Sequence, residues 1–228
     1  MRGAVVLICV TGIALAGSAF AALGLDVGSS RATPIGVREL PVSTPLNPTF
    51  APLTAGTTYR AGLVSPSPRV TPSVRGWVGA QFVSHQSGKV RYETAWLSWQ
   101  GASGREVDIV SGPAMTMSPA ATIARPRRVI PNWNFTPYQP PGPVKRLVIA
   151  GLPALYFDAT VPPPGGWSLV GSNPPELRLD HDHSFRMAAL SVRGKTVVIV
   201  IQAPAADFPQ FLPVAMRLLG SLRFPKGA

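Results

Sequence analysis

The alternation of hydrophobic and polar residues predicts a series of short β-strands in the body of the chain. In Glu106–Val110, apolar Val107 and Ile109 alternate with Glu106 and Asp108, the period-two pattern of a strand with one buried face. Thr196–Gln202 is almost entirely apolar and β-branched, which predicts a central strand buried on both faces. The other predicted strands are Thr57–Leu63, Trp77–Val83, Arg91–Gln100, Val144–Ala150, Leu155–Thr160, Glu176–Asp180 and Phe185–Val192.

The C-terminal segment has the pattern of an amphipathic helix. Asp207 is a suitable N-cap, Pro209 fits the first turn, and Gly220 is a natural terminator. This helix is expected to pack on the sheet that Val197–Ile201 centres, and Ser221–Phe224 is expected to leave it as an extended piece. The apolar residues that share one helix face are Phe208, Phe211, Leu212, Ala215, Leu218, Leu219 and Leu222.

Eight prolines between residues 113 and 143 leave room for one short helix, over residues 118–124. The pattern therefore predicts an α+β fold for residues 56–228, with an antiparallel β-sheet flanked by helices. A chain of this length can bury a sizeable single core.

The N-terminal residues 1–25 read as a signal peptide or a transmembrane anchor. Gly3–Leu25 carries no charge and would span about 34 Å as a helix, enough for a hydrocarbon core of about 30 Å. Ser18–Ala21 supplies a cleavage signature, whereas the length of the run favours an uncleaved anchor. In both cases Arg2 keeps the N-terminus in the cytoplasm. The expected location is the cell membrane with an extracytoplasmic C-terminal domain, or secretion after cleavage at Ala21.

Residues 26–55 form the predicted linker of the chain. Prolines at 34, 41, 45, 48 and 52, with Ser and Thr between them, are typical of an extended, semi-rigid spacer. A tail wrapped on the domain is the alternative.

Charge and cysteine content limit the possible functions. The formal charge is +11, but the basic residues are scattered and form no stripe at helical spacing. This distribution favours a solvated basic surface over nucleic-acid binding. The single cysteine, Cys9, lies in the apolar run, so the body has neither disulfides nor cysteine ligands. No cofactor is expected.

A basic and aromatic stretch between residues 125 and 146 is the candidate contact surface for a partner. Loop aromatics can anchor a ligand because rings bury much area at little entropic cost. The alternative is that these rings fill the edge of the core. The candidate residues are Arg125, Arg127, Arg128, Trp133, Phe135, Tyr138, Lys145 and Arg146.

Two motifs suggest metal or phosphate chemistry. His181 and His183 could chelate zinc, but a third ligand would have to be His85 or a distant carboxylate. The alternative is a strand end or loop. Gly194-Lys195-Thr196 lacks the upstream glycine of a phosphate loop and leads into a strand, so it is interpreted as a turn.

Hydrolase signatures are missing from the sequence. It contains no Gly-x-Ser-x-Gly, and adjacent Ser84 and His85 do not have nucleophile–base geometry. The carboxylates Glu106 and Asp108 share one strand face, where solvation is the simpler interpretation. These observations predict that the protein is not an enzyme.

The order of elements resembles a family of exported actinobacterial domains, often tethered behind one N-terminal transmembrane segment. The arrangement is also similar to the PsbP-type fold and to LpqN-type mycobacterial lipoproteins. The resemblance implies an antiparallel sheet flanked by helices, with no established catalytic residues. The segments that carry it are Gly56–Tyr59, Gly76-Trp77, Leu147–Ala154, Val192–Pro204 and Phe211–Phe224.

The sequence thus predicts a non-catalytic, exported and membrane-tethered domain that binds a protein or an envelope component. The membrane contact would be made by residues 3–25. The alternative is a metal-dependent enzyme or metal-binding carrier that uses His181 and His183. A structural subunit of a membrane complex is a third possibility.

Overall fold

The computed structural model describes residues 36–44, 49–86, 88–100, 104–126, 142–161, 167–168, 178–179 and 182–225. The helices of this part are α1 (Pro119–Ala124) and α2 (Phe208–Gly220). Its strands are β1 (Arg38–Glu39), β2 (Ala51–Pro52), β3 (Tyr59–Arg60), β4 (Arg69–Val70), β5 (Trp77–Gln86), β6 (Lys89–Trp99), β7 (Glu106–Ser111), β8 (Lys145–Ile149), β9 (Leu152–Thr160), β10 (Trp167–Ser168), β11 (Arg178–Leu179), β12 (His183–Val192) and β13 (Lys195–Pro204).

The main element is an eight-stranded antiparallel sheet with the order β2-β5-β6-β7-β13-β12-β9-β8. A second, small sheet contains β1, β3 and β4, and β10 pairs with β11. This architecture confirms the predicted α+β class with an antiparallel sheet. Within the described residues, no helix has the length and the apolar character needed to cross a bilayer. The predicted membrane segment, residues 3–25, lies outside them.

Strand β13 is buried along both faces, as its apolar run predicted. Its odd-numbered residues, such as Val197 and Ile199, face the larger hydrophobic core under α2. Its even-numbered residues, such as Val198 and Val200, face a second core that includes Ile123 of α1. The turn from β12 into β13 has positive φ at Arg193 and Gly194, typical of a two-residue hairpin. The interpretation of Gly194-Lys195-Thr196 as a turn is therefore confirmed.

Helix α2 packs its apolar face on the sheet as predicted. Phe208, Phe211, Ala215, Leu218 and Leu219 are buried in the same core as β13, and Leu222 follows them. Asp207 is the N-cap residue, as predicted. The side chain of Asp207 makes no capping hydrogen bond. Its carboxylate instead accepts hydrogen bonds from Arg105, at 3.2 and 2.8 Å, because the helix start lies beside the end of β6.

Residues 36–44 and 49–55 belong to the predicted linker, and they lie on the domain. β1 pairs with β3, and β2 pairs with β5 at the edge of the main sheet. Leu40 and Leu53 are buried in the larger core, with 2% and 4% of their surface exposed. The positions of these residues agree with the alternative interpretation, in which this segment is a tail wrapped on the domain. The compact unit accordingly extends from Pro34 to the C-terminal end.

Strand β7 corrects the prediction of one solvated face. Its central residues Val107–Val110 are all buried, because the strand lies between β6 and β13 in the middle of the sheet. Asp108 is completely buried, so solvation does not explain this carboxylate. Alternation in the sequence located the strand but assigned the wrong environment to its polar side.

Candidate binding surface

Strand β8 lies at one edge of the main sheet, with β2 at the other, and carries part of the predicted contact surface. Lys145 and Arg146 lie next to each other on this strand, and both are exposed. Exposed valines flank them: Val144 has 53% of its surface exposed and Val148 has 70%. An edge strand presents backbone N–H and C=O groups that can pair with another chain. β8 therefore combines cationic side chains, apolar side chains and a backbone edge that pairs with no other strand of the described residues.

The other predicted contact residues are placed only in part. Arg125 is the exposed C-cap residue of α1. Arg127, Arg128, Trp133, Phe135 and Tyr138 lie outside the described residues, so their proposed contact with Lys145 and Arg146 stays a prediction.

Three arginines form a row across the small sheet and the residues that follow α2. Arg60 on β3 is paired with Arg69 on β4, and Arg69 is paired with Arg223 through an isolated bridge. Directly opposite residues in antiparallel pairs project to the same side. Their chain neighbours Tyr59, Val70 and Leu222 are buried in the larger core, so the arginine row (Arg60, Arg69, Arg223) projects from the outer side.

The arginine row lies beside a groove between the β8–β9 turn and the last turns of α2. The groove has a volume of about 400 Å³ and is lined by Ile149, Ala150, Met216 and Leu219, among others. Arg223 lines it as well, so it belongs to both the row and the groove. A volume of this size lies within the range of small-molecule sites.

Sequence reasoning missed the arginine row. Arg60, Arg69 and Arg223 are far apart in the chain, and only the pairing of β3 with β4 and the bridge from β4 to Arg223 bring them together. β3 and β4 have two residues each, too short for a periodic pattern. The scattered basic residues of the sequence are thus gathered, in part, by the fold.

Of the two proposed metal ligands, His183 is described, and it is not brought together with His85. His183 begins β12 and follows Asp182, which has a positive φ of 60° in a turn; this fits the strand-end interpretation. The start of β5 is near His183: Trp77 pairs with Trp99, and Trp99 donates a backbone hydrogen bond to Arg105, the neighbour of Gly104, at which an added Cβ would touch His183. His85 lies eight residues further along β5, which is about 26 Å of extended chain. His181 lies outside the described residues. Among those that are described, no group of three or more His, Cys, Asp or Glu residues could hold a metal.

The buried carboxylate of Asp108 lies on the other face of the sheet, in the second core. Burial raises the pKa of Asp108 well above its usual value, and the negative charge of Glu106 raises it further. Neither carboxylate oxygen has a hydrogen-bond partner in the described part of the chain. Opposite Asp108 in the neighbouring strands stand Trp96 and Val200, neither of which can neutralise a charge. The protonated acid is therefore the favoured form.

The protein is an α+β domain with one main antiparallel sheet. Two groups of cationic side chains lie on its surface: Lys145 and Arg146 on the edge strand β8, and the arginine row. No family model and no curated protein matches the chain. Among solved structures, it is similar to LpqN of Mycobacterium tuberculosis, which is involved in cell envelope biogenesis. That likeness has 10% identity and a TM-score of 0.33, and covers 82% of both chains.

A second similar structure is PA94 of Pseudomonas aeruginosa, a protein of unknown function. It has 15% identity and a TM-score of 0.38, and the match covers 77% of this chain and 100% of PA94. The resemblance to LpqN-type proteins thus has a counterpart among solved structures, at a low TM-score. Membership in an actinobacterial family stays a prediction.

Proposed function

We propose that the chain is a non-catalytic, exported domain that binds a protein partner of the cell envelope along strand β8. Residues 3–25 would tether it to the membrane, or release it if cleavage follows Ala21. The closer assignment of the fold to the PsbP type belongs to the same proposal.

The observation that supports this proposal most strongly is the character of the sheet edge. An exposed edge strand accepts an extended segment of another protein by main-chain pairing, and its side chains select the partner. Val144 and Val148 offer apolar contacts, and Lys145 and Arg146 favour a partner segment with acidic residues. Charged residues on an edge also prevent self-association, so the partner is expected to differ from the chain itself.

Photo-crosslinking in living cells tests this proposal. A benzophenone amino acid at position 148 should give a discrete adduct with a protein partner. The same probe at position 42 is the matched control, because Val42 is also an exposed valine, with 53% of its surface exposed. Replacing Lys145 and Arg146 by Glu should reduce the adduct at position 148 about tenfold or more, since like charges would then oppose the acidic partner.

Two results would contradict the proposal. One is the same set of adducts at positions 42 and 148, which would indicate random collision. The other is an adduct at position 148 that is insensitive to the charge reversal, which would remove Lys145 and Arg146 from the contact.

A further inference from the structure

The three residues of the arginine row occupy directly opposite positions on neighbouring backbone segments. Arg69 and Arg223 exchange two backbone hydrogen bonds, from Arg69 N–H at 2.8 Å and from Arg223 N–H at 2.9 Å. A pair of this type has its Cα atoms about 5.5 Å apart. Like charges directly opposite each other destabilise a sheet. The row is therefore a place where an anion would stabilise the protein.

One carboxylate neutralises only part of this charge. Glu39 on β1 forms an ion pair with Arg60 and also accepts a hydrogen bond from the Gly62 N–H, at 3.2 Å. Arg69 and Arg223 have no carboxylate partner among the described residues. The row thus keeps a surplus of two positive charges on one surface.

The remaining hydrogen-bond donors of the row suit an anionic group. Nε of Arg69 is buried and lacks a partner within the described ranges, which is uncommon for a buried donor. Arg223 uses Nη1 to donate to the carbonyls of Gly220, at 2.9 Å, and Leu222, at 2.6 Å. Its Nε and Nη2 donate no hydrogen bond to the residues that the structure describes, so they can serve a ligand. Planar guanidinium groups bind phosphate oxygens in pairs, with strong, charge-assisted hydrogen bonds.

Arg223 connects this cationic row to a groove that has both polar and apolar groups in its lining. The carbonyl of Gly220, to which its Nη1 is bound, belongs to a residue that lines the same groove. Met216 and Leu219 of α2 lie on one side of the groove, and Ile149 and Ala150 lie on the other. A ligand with its charged group on the row would place an attached hydrocarbon chain next to these side chains.

We propose that the arginine row and the groove form one site for an anionic phospholipid. The phosphate binds to Arg69 and Arg223, with Arg60 beside it, and the first part of an acyl chain occupies the groove. The site goes beyond the contact at β8, because it uses neither Lys145 nor Arg146, although Val148 and Ile149 of β8 also line the groove. Charge complementarity selects the headgroup, and the apolar lining selects a lipid over a soluble phosphate.

Vesicle binding by residues 34–228 tests the site. This unit is compact and contains both hydrophobic cores; its cooperative thermal unfolding is verified first. Binding is measured by co-sedimentation with vesicles of phosphatidylcholine alone or with one-third phosphatidylglycerol, at several salt concentrations. The expected result is binding that requires phosphatidylglycerol.

A matched set of charge variants separates the site from general electrostatic attraction. Replacing Arg60, Arg69 and Arg223 by Gln should weaken binding about tenfold or more. The control replaces Lys89, Arg91 and Arg125, which are exposed elsewhere, and removes the same charge. It should weaken binding less than about threefold. If the Arg69 substitution impairs folding, the pair Arg60→Gln and Arg223→Gln replaces the triple variant.

A neutral substitution in the groove tests the hydrocarbon contact. Met216→Gln should weaken vesicle binding several-fold and leave the affinity for glycerol phosphate unchanged. Equal losses in the two charge variants would overturn the site. Full vesicle binding by Met216→Gln would also overturn it, since the row would then bind phosphate without a lipid chain.

Discussion

Asp108→Asn should raise the unfolding midpoint of the protein at pH 7 and leave it almost unchanged at about pH 4. The carboxyl is fully buried, and its pKa is raised, first by burial and then by Glu106. The folded state therefore binds a proton more tightly than the unfolded state, in which the pKa of Asp is about 3.9. The free energy of unfolding therefore decreases as the pH rises from the unfolded pKa to the folded pKa of Asp108. Asn carries no titrating proton and escapes this loss.

The expected gain at pH 7 is about 1–3 kcal/mol, because each factor of ten by which the folded state binds this proton more tightly than the unfolded state contributes about 1.4 kcal/mol. For a domain of this size, that corresponds to a rise of about 3–10 °C in the unfolding midpoint. Thermal melts of both proteins between pH 4 and pH 8 measure the effect. The difference between variant and parent should grow as the pH rises above about 4, and it should level off where the pH passes the folded pKa of Asp108.

Asp158→Asn is the matched control for this substitution. Asp158 accepts hydrogen bonds from Nε and Nη2 of Arg186, at 2.7 and 2.9 Å, and it is only half-buried. Its removal should lower the midpoint at pH 7, since it weakens a bidentate ion pair. If Asp108→Asn lowered the unfolding midpoint at pH 7, as Asp158→Asn is expected to do, the hypothesis that Asp108 is protonated would be contradicted. Such a result would indicate that a cation or an ionic partner binds to Asp108.

Gly112→Ala should lower the free energy of unfolding by about 2–4 kcal/mol, from backbone strain and from overpacking. Gly112 has a φ of +122°, which residues with a Cβ rarely adopt. An added Cβ would lie 2.8 Å from the carbonyl oxygen of Arg91 and 2.9 Å from the Cα of Tyr92. Both atoms belong to the backbone of β6, so a side-chain rotation cannot relieve the contact.

Urea unfolding measures the loss of stability in Gly112→Ala and in a control, Gly151→Ala. The control separates backbone strain from the close approach of the added Cβ to another strand. Gly151 also has a positive φ, of +77°, but an added Cβ would meet nothing within 4 Å. Its loss should be about 1 kcal/mol, the cost of the left-handed conformation alone. Equal losses for the two variants would indicate that the chain after β7 moves away from β6 without cost.

The strongest periodic patterns in the sequence predicted the central part of the fold. β13 and α2 were located within a few residues, because an unbroken β-branched run and a helical apolar face each have one favourable environment. The short helix α1 was located from the spacing of prolines. The small sheet was not predicted, since strands of two residues are stabilised by tertiary contacts rather than by their own pattern.

The candidate sites were less accessible to sequence reasoning than the fold. Lys145 and Arg146 were identified as a basic pair, but their position on the outermost strand depends on the order of strands in the sheet. Asp108 was assigned to solvent because alternation cannot distinguish an exposed face from a second core. The burial of Asp108 follows from its position on the central strand β7.

The small sheet also brings distant parts of the polypeptide into neighbouring positions. Glu39 pairs with Arg60, Arg60 with Arg69, and Arg69 with Arg223, so three interstrand spacings, about 14 Å, separate residues 39 and 223. A bridge of about six amino acids could span that distance. A circularly permuted version, opened at the exposed Arg193–Gly194 turn, should therefore retain the native topology.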